Sequence, residues 1–131
     1  MKDLFIKLFG KKSDRKEENI DYDGYCKRGN VKFENQDIQG ALKEFTRAIE
    51  IDPECTEAYL ERGNIKVATD DFNGAIKDFT KIIELDPGNS IAYFSRGMAK
   101  SMAGKPGSDE DLHMASKLNP KGMENLLKDF R

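Results

Sequence analysis

Tyr25-Cys26-Lys27-Arg28-Gly29, Tyr59-Leu60-Glu61-Arg62-Gly63 and Tyr93-Phe94-Ser95-Arg96-Gly97 stand 34 residues apart, and they decide how the whole chain is read. Lys32, Lys66 and Lys100 keep the same step, as do Ala41 with Ala75, Phe45 with Phe79, and Pro53 with Pro87. Agreement at this many positions marks a repeat: one supersecondary unit, used again because a single copy cannot bury its apolar face alone. The third copy is one residue short, since Pro120 follows Pro87 by 33. The shortfall belongs between Ala103 and Ser108, where Gly104, Pro106 and Gly107 replace the earlier turn. With that allowance Leu112 takes the place of Phe79, and Ala115 that of Ile82.

Each copy predicts two helices. Over 37–51, Ile38, Ala41, Leu42, Phe45, Ala48 and Ile49 recur at helical spacing; over 71–85, Phe72, Ala75, Ile76, Phe79, Ile82 and Ile83 do the same. Asp37 and Asp71 suit the N-cap position. Asp-Pro at 52–53 and 86–87 ends the helices, because the residue before proline avoids the α region. Gly29, Gly63 and Gly97 fall inside the first helix of each copy. A mid-helix glycine costs about 1 kcal/mol relative to alanine, so three in one register imply close packing. The expected neighbours are the small residues Ala41, Ala75 and Ser108 of the second helix. Arg28, Arg62 and Arg96 recur on first helices while Glu44, Asp78 and Asp111 recur on second helices. They are either pairs within each repeat or two solvated faces; exposed pairs would add only about 0–1 kcal/mol each.

The pattern resembles the tetratricopeptide repeat family: an aromatic residue, a glycine four later, then Ala, Phe or Leu, and a closing proline in 34 residues. The resemblance covers about residues 22–120. It implies an all-α fold of three helix–turn–helix units, about 22–55, 56–89 and 90–120, in a right-handed superhelical stack. Residues 121–131 then form a capping helix, with Met123, Leu126, Leu127 and Phe130 on its apolar side. Arg and Lys stand where the family often has Leu and Tyr in the first helix.

The family lines a concave groove with its first helices and holds peptides there. Carried over by register, the groove positions include Cys26, Asn30 and Phe33, then Glu57, Leu60, Glu61 and Asn64, then Ile91, Phe94 and Met98. An asparagine amide both donates and accepts, so Asn30 and Asn64 suit an extended peptide backbone, or else face water. Ile91, Phe94 and Met98 offer adaptable apolar surface unless the C-terminal helix or the N-terminal segment covers them. The acids at 57 and 61 favour a ligand carrying basic residues beside an apolar anchor. One branch of the family clamps C-terminal carboxylates with Lys, Asn and Arg. Here Cys26, Glu61, Ile91 and Ser95 occupy those positions and only Asn30 fits, which argues against that ligand class. The implied function is a protein-interaction adaptor or scaffold, cytoplasmic, with a protein or peptide partner.

Composition is consistent with this. Charged residues are 35% of the 131 and the net charge is -2, so nothing draws the chain globally to nucleic acid. One histidine, His113, and two distant cysteines, Cys26 and Cys55, make no zinc site. Two free thiols in a reducing compartment are expected. Gly104-Lys105-Pro106-Gly107-Ser108 is a turn rather than a phosphate loop. No nucleophile–base arrangement stands out, so neither enzyme activity nor a cofactor is expected.

The head of the chain differs. Residues 1–16 carry six Lys or Arg against two acids. Leu4, Phe5, Leu8 and Phe9 share one helical face, among Lys2, Lys7, Lys11 and Lys12, and a polar stretch follows. No export signal or membrane span is read there. Residues 1–12 either lie on an anionic membrane surface, fold back onto the repeats near Glu57 and Glu61, or form a free tail. A homo-oligomer or membrane-associated scaffold, its groove filled by this segment, is the rival functional reading.

Overall fold

The computed structural model describes residues 21–129, and every regular element among them is an α-helix. The chain divides into two compact bodies, Met1–Pro53 and Glu54–Arg131. The first contains α1 (Tyr22–Glu34) and α2 (Ile38–Ile51). The second contains α3 (Thr56–Ala68), α4 (Phe72–Leu85), α5 (Ser90–Met102), α6 (Ser108–Leu118) and α7 (Pro120–Lys128). Consecutive helices pair as hairpins, α1 with α2, α3 with α4 and α5 with α6; within the second body α5 also packs on α4 and α7 on α6. No helix among the described residues is long and apolar enough to cross a membrane.

The sequence signals act where they were read. Asp37 accepts from the Gly40 N–H and Asp71 from the Gly74 N–H, each at 3.0 Å, so both cap their helices. Helices α2 and α4 stop at Ile51 and Leu85, just before the Asp-Pro pairs. The hairpin turns carry left-handed residues at Gln36, Asp70 and Gly104, with φ of 65°, 64° and 66°. These three are again 34 apart, so the third repeat keeps register through its turn and loses its residue after Gly104. Gly107, at φ 97°, then takes the N-cap place of α6.

The glycines serve a different neighbour from the one expected. A Cβ built on Gly29 would lie 2.8 Å from the Phe45 ring, and one on Gly63 would lie 2.5 Å from Cε1 of Phe79. At Gly97 the nearest atoms are Cβ of Asp111 at 3.1 Å and the Leu112 side chain at 3.2 Å. The missing side chain thus makes room for a ring, or for Leu112 in its place, and not for Ala41, Ala75 or Ser108. Phe45, Phe79, Ala41 and Ala75 are all fully buried.

The recurring charges form compact clusters. Arg62 donates through Nε and Nη2 to Asp78 at 2.9 and 2.7 Å, and Lys66 Nζ lies 3.1 Å from the same carboxylate. Arg96 and Lys100 hold Asp111 in the same way, at 2.8, 2.7 and 2.9 Å. Arg28 and Lys32 meet Glu44 at 3.3 and 2.8 Å. Each guanidinium also lies 5.6–5.8 Å from the centre of the tyrosine ring three residues earlier. The solvated-face alternative therefore fails: Glu44, Asp78 and Asp111 are buried. Burial alone would raise the Asp111 carboxyl, but hydrogen bonds from Arg96 and Lys100, and their charges, outweigh it and hold the group below its ordinary value.

The capping helix begins at Pro120, with Asn119 accepting from the Gly122 N–H at 3.0 Å. Met123 is buried and Leu126 half-buried. The Leu127 side chain and Phe130 lie outside what the structure describes, as do residues 1–20.

Two measurements test this packing. Gly63→Ala gains about 1 kcal/mol of helix propensity against an overpacking cost of about 1–3 kcal/mol, because the Phe79 ring must move. Urea denaturation should show net destabilisation, whereas an equally stable or more stable variant contradicts the packing role. For Asp111, a lowered folded pKa gives stability that is present above the ordinary aspartate value and lost as pH falls through the folded one. Titrating the urea midpoint from about pH 6 to about pH 2 should show wild type converging on Asp111→Asn. Parallel curves across that range would mean that the carboxylate contributes nothing through its charge.

Candidate functional site

In each first helix the Tyr, Arg, Gly and Lys positions turn toward the paired second helix, which leaves the remaining positions for other contacts. On α3 the residues Glu57, Leu60, Glu61 and Asn64 recur at spacings of three and four, so they form a second stripe along the helix. Glu57 and Asn64 are exposed, and Leu60 and Glu61 half-buried. On α5 the stripe is Ile91, Phe94, Met98 and Met102. Ile91 is 50% exposed and Met102 53%, with Phe94 and Met98 half-buried between them. Helices α3 and α5 touch within the second body, so the helix carrying the acidic and amide stripe neighbours the helix carrying the apolar one.

The electrostatics of α3 are uneven. Glu61 is pushed above its ordinary pKa by burial and, next, by the charge of Glu57 one turn earlier. A cation arriving here would relieve both penalties; a second carboxylate would add to them.

In the first body, Asn30 is half-buried and Phe33 exposed on α1, next to the exposed Val31. Register did not single out Val31, because it lies off the stripe. Cys26 corrects the sequence reading: it is 1% exposed and belongs to the core, so its thiol is not offered to a ligand. Both cysteines are buried. Among the described residues no group of His, Cys, Asp and Glu could hold a metal ion. Membrane contact or groove docking by residues 1–12 falls outside the described residues.

An open pocket of about 390 Å³ lies on the first body, lined in part by Tyr25, Arg28, Glu44 and Arg47. None of the nine groove residues retained from the sequence lines it. Sequence reasoning missed it, although Arg28 and Glu44 were flagged as a pair.

Comparison with known proteins places the fold. No curated protein matches the chain in sequence. Among solved structures, MamA aligns with TM-score 0.72 at 24% identity, over 80% of this chain and 58% of that one. YrrB, described as a TPR protein with an unusual peptide-binding site, aligns with TM-score 0.73 at 23% identity, over 85% and 58%. The second TPR of Spaghetti (RPAP3), solved bound to an HSP90 peptide, gives 0.71 at 24%, over 82% and 99%. This chain thus spans under two thirds of the MamA and YrrB chains, and at these identities the likeness is one of fold. The sequence pattern described as tetratricopeptide repeat matches residues 22–55 and 56–89, half of the chain. With three hairpins in the same register behind that match, the chain belongs to the tetratricopeptide repeat family.

Proposed function

We propose that this protein is an interaction module that holds a peptide or helix of another protein against the first-helix faces of its repeats, and that its role is binding rather than catalysis. The observation that carries this reading is the pair of stripes on two touching helices of the second body. Ile91, Phe94 and Met98 give adaptable apolar contact, while Glu57 and Glu61 place negative charge on the neighbouring helix. The matching ligand has an apolar anchor flanked by Lys or Arg. Asn64 supplies an amide that bonds an extended backbone without demanding a sequence. Asn30 occupies on α1 the register of Asn64 and Met98, and Phe33 follows it by three residues; both are read as contacts of the same kind.

Peptide binding by structural neighbours supports the ligand class in outline. The Spaghetti domains were solved with the peptide SRMEEVD, which ends in acidic groups. Here Glu61 is already raised by burial and by Glu57, so a C-terminal carboxylate is disfavoured and a carboxylate clamp is not part of this reading. Two cysteines buried in separate helical surroundings fit a reducing compartment such as the cytoplasm.

Peptide display against the full chain should enrich sequences with an aliphatic or aromatic residue near Lys or Arg. Measured by calorimetry, Asn64→Ala should weaken the selected peptide by about 1–3 kcal/mol, the cost of leaving a buried backbone group unpaired. Phe94→Ala should weaken it too, with helicity retained. Unchanged affinity in both variants would place the ligand on another face. Enrichment of acidic C-termini would overturn the ligand chemistry.

A further inference from the structure

We infer that Met102, and behind it Met98, are oxidation sites on the ligand-bearing face of α5, and that converting their thioethers to sulfoxides weakens the hold on a bound peptide. The inference rests on the groove reading of α3 and α5 and adds its regulation.

The sulfur atoms of the described residues differ sharply in access. Cys26, Cys55 and Met123 are buried. Met98 is half-buried, whereas Met102 is 53% exposed and Met114 38%. Oxidation at sulfur follows exposure, so an oxidant in solution meets thioethers before it meets either thiol. Met98 and Met102 stand one helical turn apart, on the stripe that Ile91 and Phe94 share. Met114 lies on α6 instead. Two of the three accessible thioethers, Met98 and Met102, therefore sit among the residues proposed to contact a peptide.

Methionine suits this face because its unbranched thioether is apolar and adaptable. Hydrogen peroxide changes that chemistry in one step. The sulfur lone pair attacks one peroxide oxygen, the O–O bond breaks and an S–O bond forms. Both peroxide protons leave with the second oxygen as water. Sulfur loses two electrons and the peroxide gains them. The product is a polar, chiral sulfoxide. Its oxygen accepts hydrogen bonds and donates none, so burying it beneath an apolar anchor without a donor is unfavourable. The touching helix α3 supplies none there from Glu57 and Glu61, because an ionised carboxylate only accepts. Met102, the more exposed of the two and the last residue of α5, reacts first.

Two readings on the full chain, taken after graded treatment with hydrogen peroxide, test this: peptide mapping by mass spectrometry, and calorimetry with a synthetic peptide enriched by display on the unoxidised chain. Met102 should oxidise faster than Met98, and Met98 faster than Met123. Full conversion of Met102 should weaken the synthetic peptide about tenfold. Methionine sulfoxide reductase with dithiothreitol should restore the affinity, and dithiothreitol alone should not. Met98→Leu/Met102→Leu should bind nearly as well as wild type before treatment and keep that affinity after it. Met114→Leu should lose affinity as wild type does. A loss that persists in Met98→Leu/Met102→Leu, or that disappears in Met114→Leu, overturns the inference. Binding that is intact before treatment and unchanged at full conversion of Met102 overturns it too, and leaves the groove reading standing. A wild-type chain that binds no displayed peptide before treatment overturns the groove reading itself and the inference with it.

Discussion

A carboxylate taken out of water must be paid back in hydrogen bonds, and in this fold one buried acid per repeat sets that requirement. Asp78 and Asp111 meet it with an arginine and a lysine one helical turn apart on the first helix. The arginine also lies over a tyrosine ring. These contacts fix how far along its partner each second helix sits and which side of the first helix faces inward. Net stabilisation by such a cluster is small, because desolvation offsets most of the Coulomb gain, whereas breaking it by removing one partner costs about 3–5 kcal/mol. The cluster therefore penalises wrong registers more than it adds to the right one. The phenylalanine ring against the glycine supplies the apolar counterpart, and together they commit one side of every first helix to the hairpin.

That commitment connects packing to function. With Tyr, Arg, Gly and Lys turned inward, other positions of the same helices, Glu57, Glu61 and Asn64 on α3 and Ile91 and Met98 on α5, are released from structural duty. They can vary in chemistry without disturbing the hairpin. Glu61 shifts upward through burial and the charge of Glu57, whereas Asp111 shifts downward because hydrogen bonds and charges from Arg96 and Lys100 outweigh its burial.

The helices, their caps and their ends were legible in the sequence because each depends on local chemistry: Asp37 and Asp71 on nearby N–H groups, Asp52 and Asp86 on the proline that follows. The Arg–acid pairing was legible as a 34-residue recurrence, but its burial was not, since burial depends on how two helices meet. Lys32, Lys66 and Lys100 showed the same recurrence, yet their place on the carboxylate follows only from being one turn after the arginine once that carboxylate is located. The glycines announced a close approach without naming the neighbour; the distance from Gly63 to the Phe79 ring depends on the crossing of two helices. Cys26 was misplaced for a related reason, since register assigns a position on the helix but not how deeply the helix sits. On the functional side, the acidic and apolar stripes could be read from register alone, while the pocket at Arg28 could not.

The most direct test of the cluster's role is a double-mutant cycle on Arg62→Met and Asp78→Leu, read by urea denaturation. The account predicts a large loss in each single variant, a smaller loss in the double variant than the sum of the two, and a coupling energy of about 2 kcal/mol or more. Single variants that each cost less than about 0.5 kcal/mol, with effects that simply add, would be the behaviour of ordinary surface substitutions and would contradict the claim that the buried acid holds the hairpin in register.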